Sequence, residues 1–238
     1  MYVEQDYGEY NDEQHVVWAE LRRRRMPGVE ASACKAFLDG VRLIGLDDRI
    51  PDISMINSRL APLTGWAAVP VDGYLPATEF FLCLSRRRFP TTITIREARN
   101  LEYTEAPDIF HDVFGHVPLH SDPEFADFLQ RYGQVALGAS GGELVQLARL
   151  FWFTVEFGLV KEGGTTKLFG SGLMSSIGEG EYALGDSVER RPFNLPEIVS
   201  RPFEIDKYQP LLFVAESFGQ IRDSLDEWSL RAGRSVVP

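Results

Sequence analysis

The sequence predicts a mainly α-helical fold with a few short β-strands. Three observations predict it. Apolar residues recur at helical spacing in segment after segment, each bounded by Pro or Gly. Residues 142–161, GELVQLARLFWFTVEFGLVK, are long and strongly apolar enough for a buried helix. Only TTITIR at 91–96 and a stretch near Lys167–Phe169 alternate as strands do.

Taken in order, residues 12–26 form an amphipathic helix ended by Pro27-Gly28. In 29–45, Cys34, Phe37, Leu38, Val41 and Ile44 fall at helical spacing. Ile50-Pro51-Asp52 opens a helix through Leu60, which Pro62 to Gly65 closes. Residues 76–88 form a helix with Pro at its first position, and the β-branched Thr91–Arg96 run is a strand. Pro107 opens a histidine-bearing segment that Gly115 stops before Pro118. Asp122-Pro123-Glu124 starts another helix. A final helix is expected from about Gln209 to Ala232.

The totals bound the function. The 238 residues suit one large domain, and 44% hydrophobic content can build a core. A net charge of -11 argues against nucleic acid as a partner. The basic clusters Arg22–Arg25 and Arg86–Arg88 are expected on solvated faces. Cys34 and Cys83 suit buried thiols in a reducing cytoplasm. The acidic N-terminus is no secretory signal, and no apolar run spans a bilayer.

Three of the four histidines lie within IFHDVFGHVPLH, residues 109–120. Buried imidazole needs partners for both nitrogens, so this is either a satisfied structural turn or a binding site. On a continuous α-helix His111 and His116 would lie about 140° apart. They converge only if the helix breaks at Gly115. His120 suits a surface or packing role, and His15 a polar helix. Asp108, Asp112, Asp122 and Glu124 are neighbouring acids, but Glu156 is the more telling one. It is the only charged residue in FWFTVEFGLV. Its partner is an arginine such as Arg149, or a metal. Two imidazoles and a carboxylate make a facial set for Fe(II) or a catalytic zinc site.

Longer strings carry a resemblance. TEAPDIFHDVFGHVPLHSDPEFADFLQRYG (104–133) and FWFTVEFGLVKEG (151–163) resemble the two signatures of the pterin-dependent aromatic amino acid hydroxylases. KLFGSGLMSSIGEGEYAL (167–184) and FEIDKYQPLLFVAESF (203–218) are similar to further blocks in the same order. Upstream, IPDISMINSRLAPLTGW and RRRFPTTITIREARNLEY resemble the short bacterial phenylalanine hydroxylases. The resemblance spans most of residues 10–220.

It implies the catalytic-domain fold of that family across 1–238, without the regulatory domain or tetramerisation helix of animal members, and hence a monomer, cytoplasmic on the cysteine reading. It implies Fe(II) held by His111, His116 and Glu156, with tetrahydropterin and O2 used to hydroxylate the ring of a free aromatic amino acid. Arg96 would bind the substrate carboxylate, oriented by Asp108, with Thr104 and Ser175 bonding the amino acid backbone. Pro107 and Trp152 would sandwich the ring, near Phe157 and Gly172. Gly73, Leu75 and Phe80 would form the pterin loop, Phe80 stacking on the bicycle. Asp112 would face the pterin's guanidine-like edge, with Ala148 and Phe151 on the same side. Two residues depart from the family pattern: Ala106 stands where an acid is usual, and Phe151 where tyrosine is usual. Ile205 disfavours tyrosine as substrate, and Trp152 favours phenylalanine over tryptophan. Tryptophan 5-hydroxylation and meta-hydroxylation of phenylalanine stay as alternatives. So do a zinc hydrolase with the same ligands and a non-catalytic amino acid or pterin-binding module.

Overall fold

The computed structural model describes residues 2–101 and 106–233. Ten α-helices among these residues surround two small sheets, and the apolar faces meet in one continuous core. The first helix, α1 (Asp12–Ser32), starts on a capping box between Asn11 and Gln14. It runs through Pro27 rather than stopping there. The missing N–H forfeits only a bond to the carbonyl of exposed Arg23. Beyond it, Val29 is fully buried and Gly28 leaves room for the Arg25 guanidinium. Arg25 is therefore no solvated charge: it is 2% exposed.

Helices α2 (Lys35–Ile44) and α3 (Ile53–Thr64) end at Gly45 and Gly65 with φ of 69° and 76°, the left-handed cap that glycine adopts without strain. Pro62 sits inside α3 instead of closing it. Strand β1 (Ala67–Val71) pairs in parallel with β2 (Arg88–Thr92), and α4 (Ala77–Ser85) makes the crossover. The strand expected over 91–96 thus keeps only its first two residues. Ile93 to Arg96 have no neighbouring strand, and other groups satisfy their backbone. Ile109 N–H donates to Thr94 O at 2.8 Å, and Asp108 Oδ2 accepts from Arg96 N at 3.0 Å.

Two π-helical segments follow, Phe110–His116 and Trp152–Glu156. Between them lie a 3₁₀ turn (Val117–Ser121), α5 (Pro123–Leu137, capped by Asp122) and α6 (Gly142–Phe151). The long helix expected over 142–161 ends early. Phe157 N–H bonds back five residues to Trp152 O at 2.9 Å, and the chain turns at Gly158. A Cβ on Gly158 would lie 2.1 Å from the Phe169 ring, so only glycine permits this turn.

The larger sheet has the order β4-β3-β6-β5, from β3 (Leu159–Glu162), β4 (Thr165–Leu168), β5 (Glu189–Pro192) and β6 (Leu211–Ala215). The helix expected from Gln209 begins instead with the buried strand β6. An unbroken apolar run suits a parallel strand covered on both faces, and periodicity alone does not separate it from a helix. Short helices α7 (Ser171–Ser175), α8 (Ile177–Leu184) and α9 (Leu195–Ser200) connect the strands, and α10 (Phe218–Arg231) closes the fold.

Gly40 lies where α2 crosses the 3₁₀ turn after the histidines: an added Cβ would sit 2.0 Å from Pro118 O. Gly40→Ala is expected to cost about 1–3 kcal/mol through forced separation of the two segments. Thermal unfolding measures this, and an unchanged midpoint would mean the contact yields freely.

Candidate active site

Phe110–His116 is held near its start. Asp108 accepts the N–H of His111 at 3.0 Å, and the N–H and hydroxyl of Thr92, at the end of β2, both donate to Asp112 Oδ2 at 2.7 Å. The π-winding brings His111 and His116 together. Each π turn takes in an extra residue, so positions five apart return to one face. No helix break at Gly115 is needed. Gly115 serves close packing instead, since its Cβ would sit 3.0 Å from Ser171 O.

The second π-segment delivers Glu156 to the same point. His111 Nε2 and His116 Nε2 are 3.2 Å apart, and Glu156 carboxylate oxygens lie 3.6 and 3.3 Å from them. All three donor atoms fall within 4.8 Å of one another. Ligands about 2.1 Å from one ion and at right angles sit about 3.0 Å apart, so the spacing fits a cation. Arg149 is not the partner of Glu156; it donates to Val199 O at 2.8 Å.

The protonation states suit a metal. Burial holds the His111 imidazole below its ordinary range, against the pull of Glu156. Burial also opposes the charge on Glu156, but the two imidazoles and the Ser171 hydroxyl outweigh it and hold the carboxyl at about 2. Ser171 Oγ donates to Glu156 Oε2 at 2.7 Å. Ser175 Oγ donates to Ser171 O and lies 2.9 Å from His111 Nδ1. His111 therefore donates through Nδ1–H and turns its Nε2 lone pair to the centre.

Helix α7 carries both serines, and buried Arg25 grips it. Arg25 Nε and Nη2 donate to Met174 O and Leu173 O, each at 2.6 Å. Neither Ser171 nor Arg25 was legible as a site residue, because each acts through groups distant in sequence. Arg25→Met is expected to leave two buried carbonyls unsatisfied and destabilise the fold by about 2–4 kcal/mol. Denaturant titration checks this, and an unchanged midpoint would refute the grip.

Two adjoining cavities open onto the triad. The larger, 620 Å³, is lined by Arg96, Pro107, Ala148, Trp152, Phe157, Gly172 and Ser175. The smaller, 380 Å³, is lined by Gly73, Leu75, Asp112 and His116. His111, Glu156, Phe80, Phe151 and Pro107 border both. Gly73, with φ of 89°, turns the loop before α4, and Phe80 of α4 meets Phe151 edge to face at 5.7 Å. Trp152 stacks on Phe203 at 4.4 Å and leans on Phe157. Phe157 needs Gly172, where a Cβ would come within 2.9 Å of its ring. Ile205 is exposed at the mouth. Thr104 lies outside the described residues.

Asp108 sits behind the larger cavity. Arg96 Nε and Nη2 donate to its two oxygens at 2.7 and 2.9 Å, with both side chains buried. Burial works against the Asp108 charge, but Arg96 outweighs it and the carboxyl sits below its ordinary range. Burial pushes the Asp112 carboxyl up, partly offset by the nearby imidazoles. His120 is not at the surface: it is fully buried, stacked on Trp66 at 4.6 Å, and held well below its ordinary pKa by burial. His15 is buried too, accepting from Ile50 N at 3.2 Å.

A mixed nitrogen–oxygen triad between two apolar cavities is shared by oxygen-activating and hydrolytic centres, and comparison with known proteins separates them. Residues 6–237 match the family model described as biopterin-dependent aromatic amino acid hydroxylase. The chain belongs to this hydroxylase family. Phenylalanine-4-hydroxylase of Mesorhizobium japonicum is 44% identical over 227 residues, covering 93% of this chain and 82% of that protein. A crystal structure of Chromobacterium violaceum phenylalanine hydroxylase with iron(III) and 7,8-dihydrobiopterin superposes with a TM-score of 0.92 at 39% identity. That match covers 98% of this chain and 86% of the other. A second structure of that enzyme, with iron and phenylalanine bound, gives 0.89 at 37% identity, covering 98% and 88%. The mainly helical aromatic amino acid hydroxylase fold is thus the fold of this hydroxylase. Among its described residues no helix is long and apolar enough to cross a membrane.

Proposed function

We propose that this hydroxylase converts L-phenylalanine to L-tyrosine, using iron, a tetrahydropterin and O2. One observation carries the reading: a His/His/Glu triad lies where a cavity with a buried arginine meets a cavity with an aromatic floor. His111, His116 and Glu156 would hold the iron, and their donor chemistry fits it. Bound iron and reduced pterin supply the electrons that reduce O2 and deliver one oxygen atom to the ring.

The chain's own residues do the rest. Arg96, fixed by Asp108, would grip the substrate carboxylate bidentately. Trp152, Phe157 and Pro107 would hold the ring flat and keep water from the centre. Ser175 is engaged by His111 and Ser171, so it would orient the iron ligand as well as bond substrate. Thr104 is proposed on the resemblance alone. Phe80 would stack on the pterin against Phe151, with Gly73 and Leu75 shaping its bed; Ala148, which lines the larger cavity, is proposed on the pterin side from the resemblance alone. Asp112, clamped by Thr92, would face the pterin's amino edge. A single-domain cytoplasmic monomer is the accompanying proposal.

Product analysis tests the reading. Iron-loaded protein, tetrahydropterin and O2 would be given equal L-Phe, L-Tyr and L-Trp. Pterin-dependent L-tyrosine formed from L-Phe is the expected result. A 5-hydroxytryptophan or meta-hydroxyphenylalanine product would overturn substrate or position, and hydrolysis with zinc would overturn the chemistry.

A further inference from the structure

Arg96 accounts for the carboxylate of a free amino acid and leaves its ammonium without a charged partner. An ammonium taken out of water needs a carboxylate. Among the described residues three acids line the larger cavity: Glu156, Glu179 and Asp206. Glu156 is turned to the two histidines and Ser171. Asp206 is exposed, and its charge already acts on Lys207. Glu179 remains. It stands in the first turn of α8, four residues after Ser175, on a wall of the cavity that holds Arg96. Its backbone N–H is satisfied by Ser176 Oγ. Its half-buried carboxylate has no ion pair or side-chain hydrogen bond among the described residues. Arg25 lies behind α8, beside Gly180, but its guanidinium donates to Met174 and Leu173.

We infer that Glu179 receives the substrate's ammonium, so that the cavity selects amino acids over aromatic acids that lack the amine. The inference rests on the cavity being the amino acid site. A carboxylate left half-buried without a cation is unfavourable in the empty protein and is matched when an ammonium arrives. Burial accordingly pushes the Glu179 carboxyl up to about 7. Among the described residues the other ionisable groups around the same cavity are Arg96, His111, Tyr74, Tyr132, Asp206 and Glu156, with Arg25 behind. The ionised form of Glu179 is the one that pairs with ammonium. Affinity for the amino acid therefore rises as pH increases through about 7, and falls below it.

The test is equilibrium dialysis of the iron-loaded full chain without pterin, so that no turnover occurs. The probes are L-phenylalanine and 3-phenylpropanoate, on either side of pH 7. The parent is expected to prefer L-phenylalanine. Glu179→Gln is expected to weaken L-phenylalanine about 10–100-fold, leave 3-phenylpropanoate unchanged and flatten the pH dependence. Glu179→Asp should keep part of the preference. A Glu179→Gln variant that retains the parent's preference would overturn the inference. Equal weakening of both ligands would also overturn it, showing only a pocket-shape effect. A parent that binds neither probe would instead overturn the amino acid site itself, and that result is separable from the others.

Discussion

Glu156→Ala is expected to abolish metal binding and lower hydroxylation by about 10³-fold or more, since the metal supplies several kcal/mol of catalysis. Glu156 is the only carboxylate within the group of donor atoms that could hold a metal among the described residues. Without it, two imidazoles 3.2 Å apart face an apolar space and leave a cation under-coordinated. The fold should survive. Glu156 is a charge held in a buried setting, and in metal-free protein its removal relieves desolvation as well as losing the Ser171 bond. Two measurements separate site from fold: metal content after dialysis, and the rise in melting temperature on adding Fe(II). The parent should gain stability with metal, and Glu156→Ala should gain none. Retained activity with no other carboxylate recruited would sink the triad.

Arg96→Lys is expected to raise KM for the amino acid roughly 100-fold while iron content stays near that of the parent. Lysine keeps the charge but cannot reproduce a planar fork that meets both Asp108 oxygens and still presents N–H groups to a carboxylate. A neutral replacement is a poorer probe. Breaking a buried pair strands Asp108 at about 3–5 kcal/mol, and a loss of folding would mask a loss of binding. Asp108 also accepts the N–H of His111, so damage there would spread to the proposed iron ligands. The measurement is steady-state kinetics with metal analysis on the same samples. An unchanged KM in Arg96→Lys would remove Arg96 from substrate binding.

Much of the site was legible because its chemistry is unusual for its surroundings. A lone glutamate in an apolar run and histidines among Phe and Val are costly unless used, and that cost is visible in sequence. The residues that hold these groups were not legible. Ser171 looks like an ordinary small residue and Ser175 was expected only at the substrate, yet one fixes the carboxylate and the other fixes the imidazole tautomer. Glu179 looked like one acid among many in GEGEYAL; only its place on the cavity wall distinguishes it.

The helical class, the candidate metal ligands and the family were legible in residue types and motif order, and the arginine–aspartate pair followed from the family resemblance. Tertiary structure decided how the ligands meet. A five-residue spacing is wrong for an α-helix and right for a π-helical segment, and no local signal favours that winding. It persists because Asp108, Thr92 and α7 hold the segment from outside. Tertiary structure also decided that LLFVA is a central strand and that the helix after Gly142 stops at Gly158. In both places the apolar pattern satisfies either conformation. Contacts with β3 and β5 in one case, and with Phe169 in the other, select between them.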